Sequence, residues 1–192
     1  MKRIVMGFCS LFYPLVALSV PIEHFDRWAV SFASGYGVAH IKPLRFGIMM
    51  DWNRAWKLNT AWTLGGYFEL SHTQMPGRSG LISSKSRFGN SRLHATALAA
   101  TARFYYGLET IHSEFLPFID LGFGASWLSK KEIGGRELGI YYQFEDRLGA
   151  GFRFGKQAPW ELGYRAIHFS NAYLGPKNHG INLHLLVLSY WF

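Results

Sequence analysis

The sequence predicts an all-β fold, an eight-stranded antiparallel transmembrane β-barrel preceded by a cleaved signal peptide. Two observations favour this class. About eight segments of the 192-residue chain alternate apolar and polar residues with the period of two that gives a strand two unlike faces. Aromatic residues make up 17% of the chain, glycine contributes 21 residues and only 17% of residues are charged, as is typical of barrels with aromatic girdles and tight turns.

The N-terminal segment, 1–19, has the pattern of a secretory signal peptide. Two basic residues precede an apolar run, and small residues up to Ser19 suit a signal peptidase. The run is short and is interrupted by Pro14, which favours a signal peptide over a transmembrane helix. The single cysteine, Cys9, falls within this segment. The domain expected at 20–192 therefore has neither a disulfide nor thiol chemistry.

The strands predicted after this segment are separated by connections rich in Gly, Ser, Asn and Lys. Their alternation is clearest in the sixth, where Leu148 and Phe152 lie on one face and Arg147 and Arg153 on the other. No linker or second domain interrupts the series. The predicted strands are 28–41, 44–52, 62–71, 94–106, 115–129, 142–154, 161–172 and 182–192.

The sorting of charge favours a closed membrane barrel over a soluble β-sandwich or a lipocalin-like barrel. Basic and acidic residues are balanced on the polar faces, where they can pair inside a narrow barrel and leave little room for a channel. A membrane also requires closure, because an open sheet edge would leave unpaired backbone groups in lipid. The charges predicted to lie inside are Arg45, Arg103, Arg147, Arg153, Arg165, Asp51, Glu69, Asp120, Glu145 and Glu161.

The end of the seventh predicted strand carries the candidate chemistry. His168 and Ser170 are two residues apart, so they share one face with their Cα atoms roughly 6.5–7 Å apart. A base beside a hydroxyl is the minimum unit of nucleophilic acyl transfer. In a barrel with an even number of strands both termini are periplasmic, so this pair is expected to face lipid near the outer leaflet.

Motifs spread over nearly all of the mature chain carry a family resemblance. They are the runs 164–172, 117–125 and 144–151, together with Pro176, Asn178 and Gly180. These motifs resemble those of the PagL family, and the most specific of them is His168-x-Ser170-Asn-Ala. The resemblance implies an outer-membrane barrel that hydrolyses the ester at position 3 of lipid A without a metal or other cofactor. It also implies that Ser170 is the nucleophile and His168 its general base.

The acidic member of the triad is where the sequence departs from the family pattern, which has Glu twelve residues after the serine. Asn182 occupies that position. Asn can hold an imidazole by a hydrogen bond, but it supplies no negative charge. Asp146 is a second candidate, because pairing outward from the turn at 155–159 places it roughly opposite 168–170. The open alternative for Asp146 is a carboxylate that simply lies at the headgroup boundary.

Donors for an oxyanion are expected just after the serine. Backbone N–H groups from Asn171 to Tyr173 are available if the chain turns there, and the resemblance adds the side chain of Asn178. The run around Asn178 fits a turn residue equally well.

The charge balance points to an anionic partner. The formal net charge of +8 becomes +6 once the two basic residues of the signal are removed. On an exported protein this favours phosphorylated lipid over nucleic acid. The sequence thus predicts an esterase in the Gram-negative outer membrane that acts on lipid A or lipopolysaccharide, with its site at the outer leaflet; a homodimer is left open. The rival prediction is a non-enzymatic barrel with a structural, adhesive or lipopolysaccharide-binding role, in which His168 and Ser170 are girdle residues.

Overall fold

The computed structural model describes residues 19–20, 27–52, 54–77, 91–107 and 114–192. Eight antiparallel strands close into a barrel, because each pairs with its chain neighbours and the last pairs with the first. The strands are β1 Trp28–Gly37, β2 Leu44–Asp51, β3 Trp62–Gly77, β4 Ser91–Tyr106, β5 Phe115–Leu128, β6 Tyr142–Phe154, β7 Trp160–Ser170 and β8 Ile181–Trp191. The predicted eight-stranded barrel is confirmed, whereas the predicted signal peptide lies outside the described residues apart from Ser19.

Four short strands lie beside the barrel wall. Ser19–Val20 pairs with the first residues of Ala55–Lys57, and Glu132–Ile133 pairs with Arg136–Glu137 to form what is called below the outer hairpin. Within the described ranges, no helix is long and apolar enough to cross a bilayer. The connections after β1, β3, β5 and β7 share one end of the barrel, called the loop end, and the opposite end is called the turn end.

The outer surface of the barrel is apolar. Side chains such as Phe46, Leu98 and Leu186 are more than half exposed, while their chain neighbours point inward. Aromatic pairs mark both ends of this surface, with Trp160 against Tyr190 at the turn end. Trp127 stacks on Tyr141 at the loop end. An apolar belt between aromatic girdles is the surface that a bilayer covers.

The centre of the barrel is filled by ion pairs, as the sequence predicts. Glu69 accepts hydrogen bonds from Arg45, Arg147 and Arg165 at 3.2, 2.9 and 2.8 Å. Both oxygens of Asp120 bind Arg103, each at 2.7 Å. All ten predicted interior charges are buried. Buried charges are tolerated only when they are paired and hydrogen-bonded, and this network meets that condition for most of its members.

An apolar cap closes the interior at the loop end. Connections between strands supply Ile41, Ile133 and Leu138, and the end of β7 supplies Phe169. The remaining main contributors are Met75, Leu93, Leu128, Ile181 and Leu183. With the cap above and the ion pairs below, side chains occupy the interior, and the barrel is a scaffold rather than a pore.

The two largest differences from the predicted strand boundaries, at the ends of β1 and β3, have identifiable reasons. β1 ends at Gly37, because the chain then forms the short 3-10 helix Val38–His40 and turns Ile41 into the cap. β3 continues past residue 71 to Gly77, because it stays paired with β4 as far as Ser91.

Candidate functional site

The strand register brings three polar side chains into one row on the outer wall near the loop end. His168 in β7 lies directly opposite Asp146 in β6 on one side and Asn182 in β8 on the other. All three are exposed. Directly opposed residues of antiparallel strands have Cα atoms about 4.5–5.5 Å apart, so each neighbour is within reach of the imidazole. The predicted opposition of Asp146 and 168–170 is confirmed by this register.

Asn182 makes the contact that orients the imidazole. Its Oδ1 lies 2.5 Å from Nδ1 of His168. An amide oxygen can only accept, so Nδ1 carries the proton, and in the neutral imidazole Nε2 then has the free lone pair. This is the tautomer that a general base needs when its Nε2 is to take a proton.

Asp146 is placed as a neighbour and not as a partner. In the part of the chain that the structure describes, no hydrogen bond or ion pair joins its carboxylate to His168. The register places Asp146 directly opposite His168 on the neighbouring strand. Its role as an aid to the imidazole stays a prediction.

Ser170 is the last residue of β7 and lies on the same outer face as His168. It is partly buried and is paired with Phe144 of β6. Among the described residues, no hydrogen bond joins its hydroxyl to the imidazole. Between the two, Phe169 points inward and is fully buried in the apolar cap, which anchors this strand end to the interior.

The loop that follows β7 is held by Asn171. Its side-chain amide donates to the carbonyls of Leu138 and Lys177 at 2.7 and 2.6 Å. Its backbone N–H donates to Oδ1 of Asn178 at 2.9 Å. Both donor groups of Asn171 are thus occupied within the protein, which makes it a loop anchor rather than an oxyanion donor. Engaging Oδ1 of Asn178 leaves the amino group of that side chain as the donor that can face a ligand.

Ala172 and Tyr173 follow with left-handed backbones, at φ of 49° and 61°. Such conformations cost non-glycine residues on the order of 1–3 kcal/mol each and collect at functional sites. In the described part of the chain, the N–H groups of these two residues donate to no acceptor. They are the backbone donors nearest the serine that remain available.

Gly180 covers the imidazole of His168. Its φ is +59°, and a Cβ built on it would lie 3.0 Å from Cε1 and 3.6 Å from Nε2 of the ring. A side chain at this position would press on the imidazole. Gly180 thus packs against the Cε1–Nε2 edge of the ring, a role that its place in the sequence motif does not reveal.

With this geometry known, comparison with other proteins is informative. The model of the lipid A 3-O-deacylase (PagL) family matches residues 43–191. The chain belongs to the PagL family.

Relatives of this PagL-family barrel agree in sequence and in fold. Lipid A deacylase PagL of Pseudomonas aeruginosa is 32% identical over 142 residues, which cover 74% of this chain and 73% of that protein. Lipid A deacylase PagL of Bordetella bronchiseptica is 32% identical over 75 residues, or 39% and 41% of the two chains. The crystal structure of the outer membrane enzyme PagL superposes with a TM-score of 0.73 at 29% identity, covering 84% of this chain and 98% of that one. The barrel is thus of the outer-membrane type.

Sequence reasoning missed a second polar cluster on the outer wall, closer to its middle. The hydroxyl of Tyr164 lies 2.5 Å from Nδ1 of His184, and the ring of Tyr36 stacks on that imidazole at 5.0 Å. Beyond this cluster an open apolar groove of about 430 Å³ continues along the wall. The residues lining it are Phe32, Ser34, Gly35, Leu162, Leu186, Val187 and Leu188.

Proposed function

We propose that this chain is an outer-membrane esterase that removes the 3-O-linked hydroxyacyl chain of lipid A through a Ser/His mechanism. Membership of the PagL family supports the substrate class and the reaction. The observation that carries the mechanism is the hydrogen bond from Nδ1–H of His168 to Oδ1 of Asn182, which leaves Nε2 of the neutral ring as a proton acceptor on a side chain that shares its strand face with Ser170.

In the proposed reaction, Oγ of Ser170 attacks the ester carbonyl carbon while Nε2 of His168 takes the hydroxyl proton. The tetrahedral intermediate then breaks its bond to the sugar oxygen, and His168 returns the proton to that oxygen as the sugar leaves. A water molecule attacks the acyl-enzyme in the same way. This attack forms a second tetrahedral intermediate, whose collapse releases the hydroxy fatty acid and restores the Ser170 hydroxyl.

The negative oxygen of the intermediate needs donors that are already in place. The amino group of Asn178 and the N–H groups of Ala172 and Tyr173 are suited to this role, because intramolecular contacts fix the loop that carries them. A preorganised donor does not have to reorient when charge develops, which is why such groups can lower a barrier by a few kcal/mol.

The position of the pair on the outer wall suits a lipid substrate. A lipid A molecule in the outer leaflet would bring only its ester to Ser170, while its acyl chains stayed in the bilayer. The apolar groove beyond His184 offers a surface along which one such chain can lie. An orientation of the loop end toward the outside of the cell is part of this proposal.

The negative charge that the family pattern places after the serine is assigned to Asp146 in this proposal. A carboxylate across the strand pair from His168 favours the imidazolium that forms when the proton moves. Asn182 then fixes the tautomer and Asp146 supplies the charge. Formation of a homodimer stays a prediction.

The test is mass spectrometry of lipid A from a Gram-negative host that expresses either the wild type or Ser170→Ala. We expect loss of one hydroxyacyl chain only with the wild type. Both proteins are first shown to be folded in the outer membrane by their heat-dependent mobility on gels. Identical spectra, together with no labelling of Ser170 by a serine-reactive lipid ester probe, would favour the non-enzymatic barrel.

A further inference from the structure

The outer hairpin lies against the loop that covers the candidate site. The N–H of His179 donates to the carbonyl of Glu137 at 3.2 Å. In return, the N–H of Glu137 donates to Nδ1 of His179 at 3.1 Å. This reciprocal pair joins the β5–β6 connection to the last residues before β8.

Arg136 binds the loop at Gly180, beside the imidazole of His168, and at the residue before it. Its Nε donates to the carbonyl of Gly180 at 2.8 Å, and its Nη2 donates to the carbonyl of His179. One planar guanidinium therefore holds two consecutive carbonyls, an arrangement that its fixed fork of donors favours. Gly180 is in turn the residue at which an added Cβ would lie 3.0 Å from Cε1 of His168.

The imidazole is thus restrained from two sides. Nδ1 donates to Oδ1 of Asn182, and Gly180 packs against the Cε1–Nε2 edge of the ring. The first restraint is a hydrogen bond made by a neighbouring strand. The second lies in a loop with a left-handed residue, and it is held in place from outside by the hairpin.

We propose that Arg136 is a positioning residue, which keeps the 178–180 segment against His168 and so fixes the imidazole beside Ser170, its neighbour on the same strand face. The same segment carries Asn178, so its release would also misplace the oxyanion donor. This inference rests on the proposed function for its catalytic consequence. The structural part of the inference is that Arg136 sets the environment of the imidazole, and this part can be tested without measuring activity.

The test compares Arg136→Ala and Arg136→Lys with a matched control, Lys177→Ala. Lys177 and Glu137 form a pair 3.4 Å apart between the same two segments, but both side chains are more than half exposed and neither touches His168. Arg136→Ala is expected to lower kcat roughly tenfold to hundredfold with little change in KM, because misplacing a catalytic group by about 1 Å can cost about a hundredfold. The kcat of Arg136→Lys should lie between those of Arg136→Ala and the wild type, and the kcat of Lys177→Ala should match the wild type.

The second readout is the Cε1–H resonance of His168 in the detergent-solubilised barrel, assigned by its absence in His168→Gln. It is expected to move in Arg136→Ala and to stay in Lys177→Ala. If the wild type leaves lipid A intact, the proposed function fails, and this resonance alone decides: a shift supports the positioning role and an unmoved signal overturns it. If the wild type is active, an unmoved signal or a loss confined to KM overturns the inference. Should Arg136→Ala not fold, Arg136→Lys decides, and a wild-type kcat together with a wild-type signal would refute the role.

Discussion

Asn182 supplies one of the two functions that a carboxylate would serve beside His168. Its Oδ1 accepts a hydrogen bond from Nδ1–H at 2.5 Å, but the amide adds no charge to stabilise the imidazolium. We expect Asn182→Glu to raise kcat about tenfold, because a hydrogen bond to a charged group exceeds a neutral one by roughly 1–1.5 kcal/mol. Asn182→Ala should lower kcat, since the ring loses its tautomer restraint. Rates are measured as release of hydroxy fatty acid from lipid A micelles, and a slower Asn182→Glu enzyme would contradict this account.

Asp146 is expected to act through its charge alone. Opposite charges across a strand pair contribute roughly 0.2–1 kcal/mol, so Asp146→Asn should lower kcat by only about twofold to fivefold. Combining it with Asn182→Glu should restore the rate, because the carboxylate then stands on the other side of the ring. Unchanged turnover in Asp146→Asn would remove Asp146 from the mechanism and leave it a carboxylate at the headgroup boundary.

At the scale of elements, β7 joins the site to the interior by alternation. His168 and Ser170 face outward, while Phe169 between them is fully buried in the apolar cap. Phe169→Ala should reduce the free energy of unfolding by about 3 kcal/mol or more, because it leaves a cavity that neighbouring side chains fill only in part. Urea titrations followed by tryptophan fluorescence measure this loss.

The control for Phe169 is Phe123→Ala on the lipid-facing wall, where the side chain is 56% exposed. Its loss of stability should be smaller, because lipid or detergent fills the space that the ring leaves. Equal losses at the two positions would mean that the cap does not anchor the end of β7.

At the scale of the whole molecule, the barrel depends on a charge network that ties distant strands together. Glu69 in β3 binds arginines from β2, β6 and β7. Glu69→Gln should lower the free energy of unfolding by about 3–5 kcal/mol, the usual cost of leaving a buried charge without its partner. The exposed pair of Lys177 with Glu137 provides the comparison, and Glu137→Gln should cost at most about 1 kcal/mol. A loss of that smaller size in Glu69→Gln would show that the network adds little to stability.

The alternation of residue types predicts much of the fold, because the polarity of each strand residue indicates whether it faces the interior or the lipid. It correctly sorts Arg103 inside and Leu98 outside. It fails at strand ends such as Gly37. Beyond that residue, the inward position of Ile41 depends on packing in the cap and not on the residues next to it in the sequence.

The site is predictable to the same extent. The tight turn between β6 and β7 allows Asp146 to be aligned with His168 from the sequence, and the register agrees. The hydrogen bond from His168 to Asn182 depends on the register of β7 and β8 across a ten-residue loop. Only the family pattern indicates this contact from the sequence. The contact of Arg136 with Gly180 joins residues 44 positions apart through a small hairpin, and no local pattern reveals such a contact.

The order of the strands divides the chain unequally. Among the described residues, the reactive and positioning side chains named for the site lie between Arg136 and Asn182. Strands β1 to β4 contribute to the wall, to the filling of the barrel and, through β1, to the apolar groove. If the polypeptide were produced as two pieces separated between Tyr106 and Phe115, the second piece alone would carry the whole set of reactive groups. It would remain inert until the first piece completed the cylinder, so that fatty acid release would report the joining of the two halves.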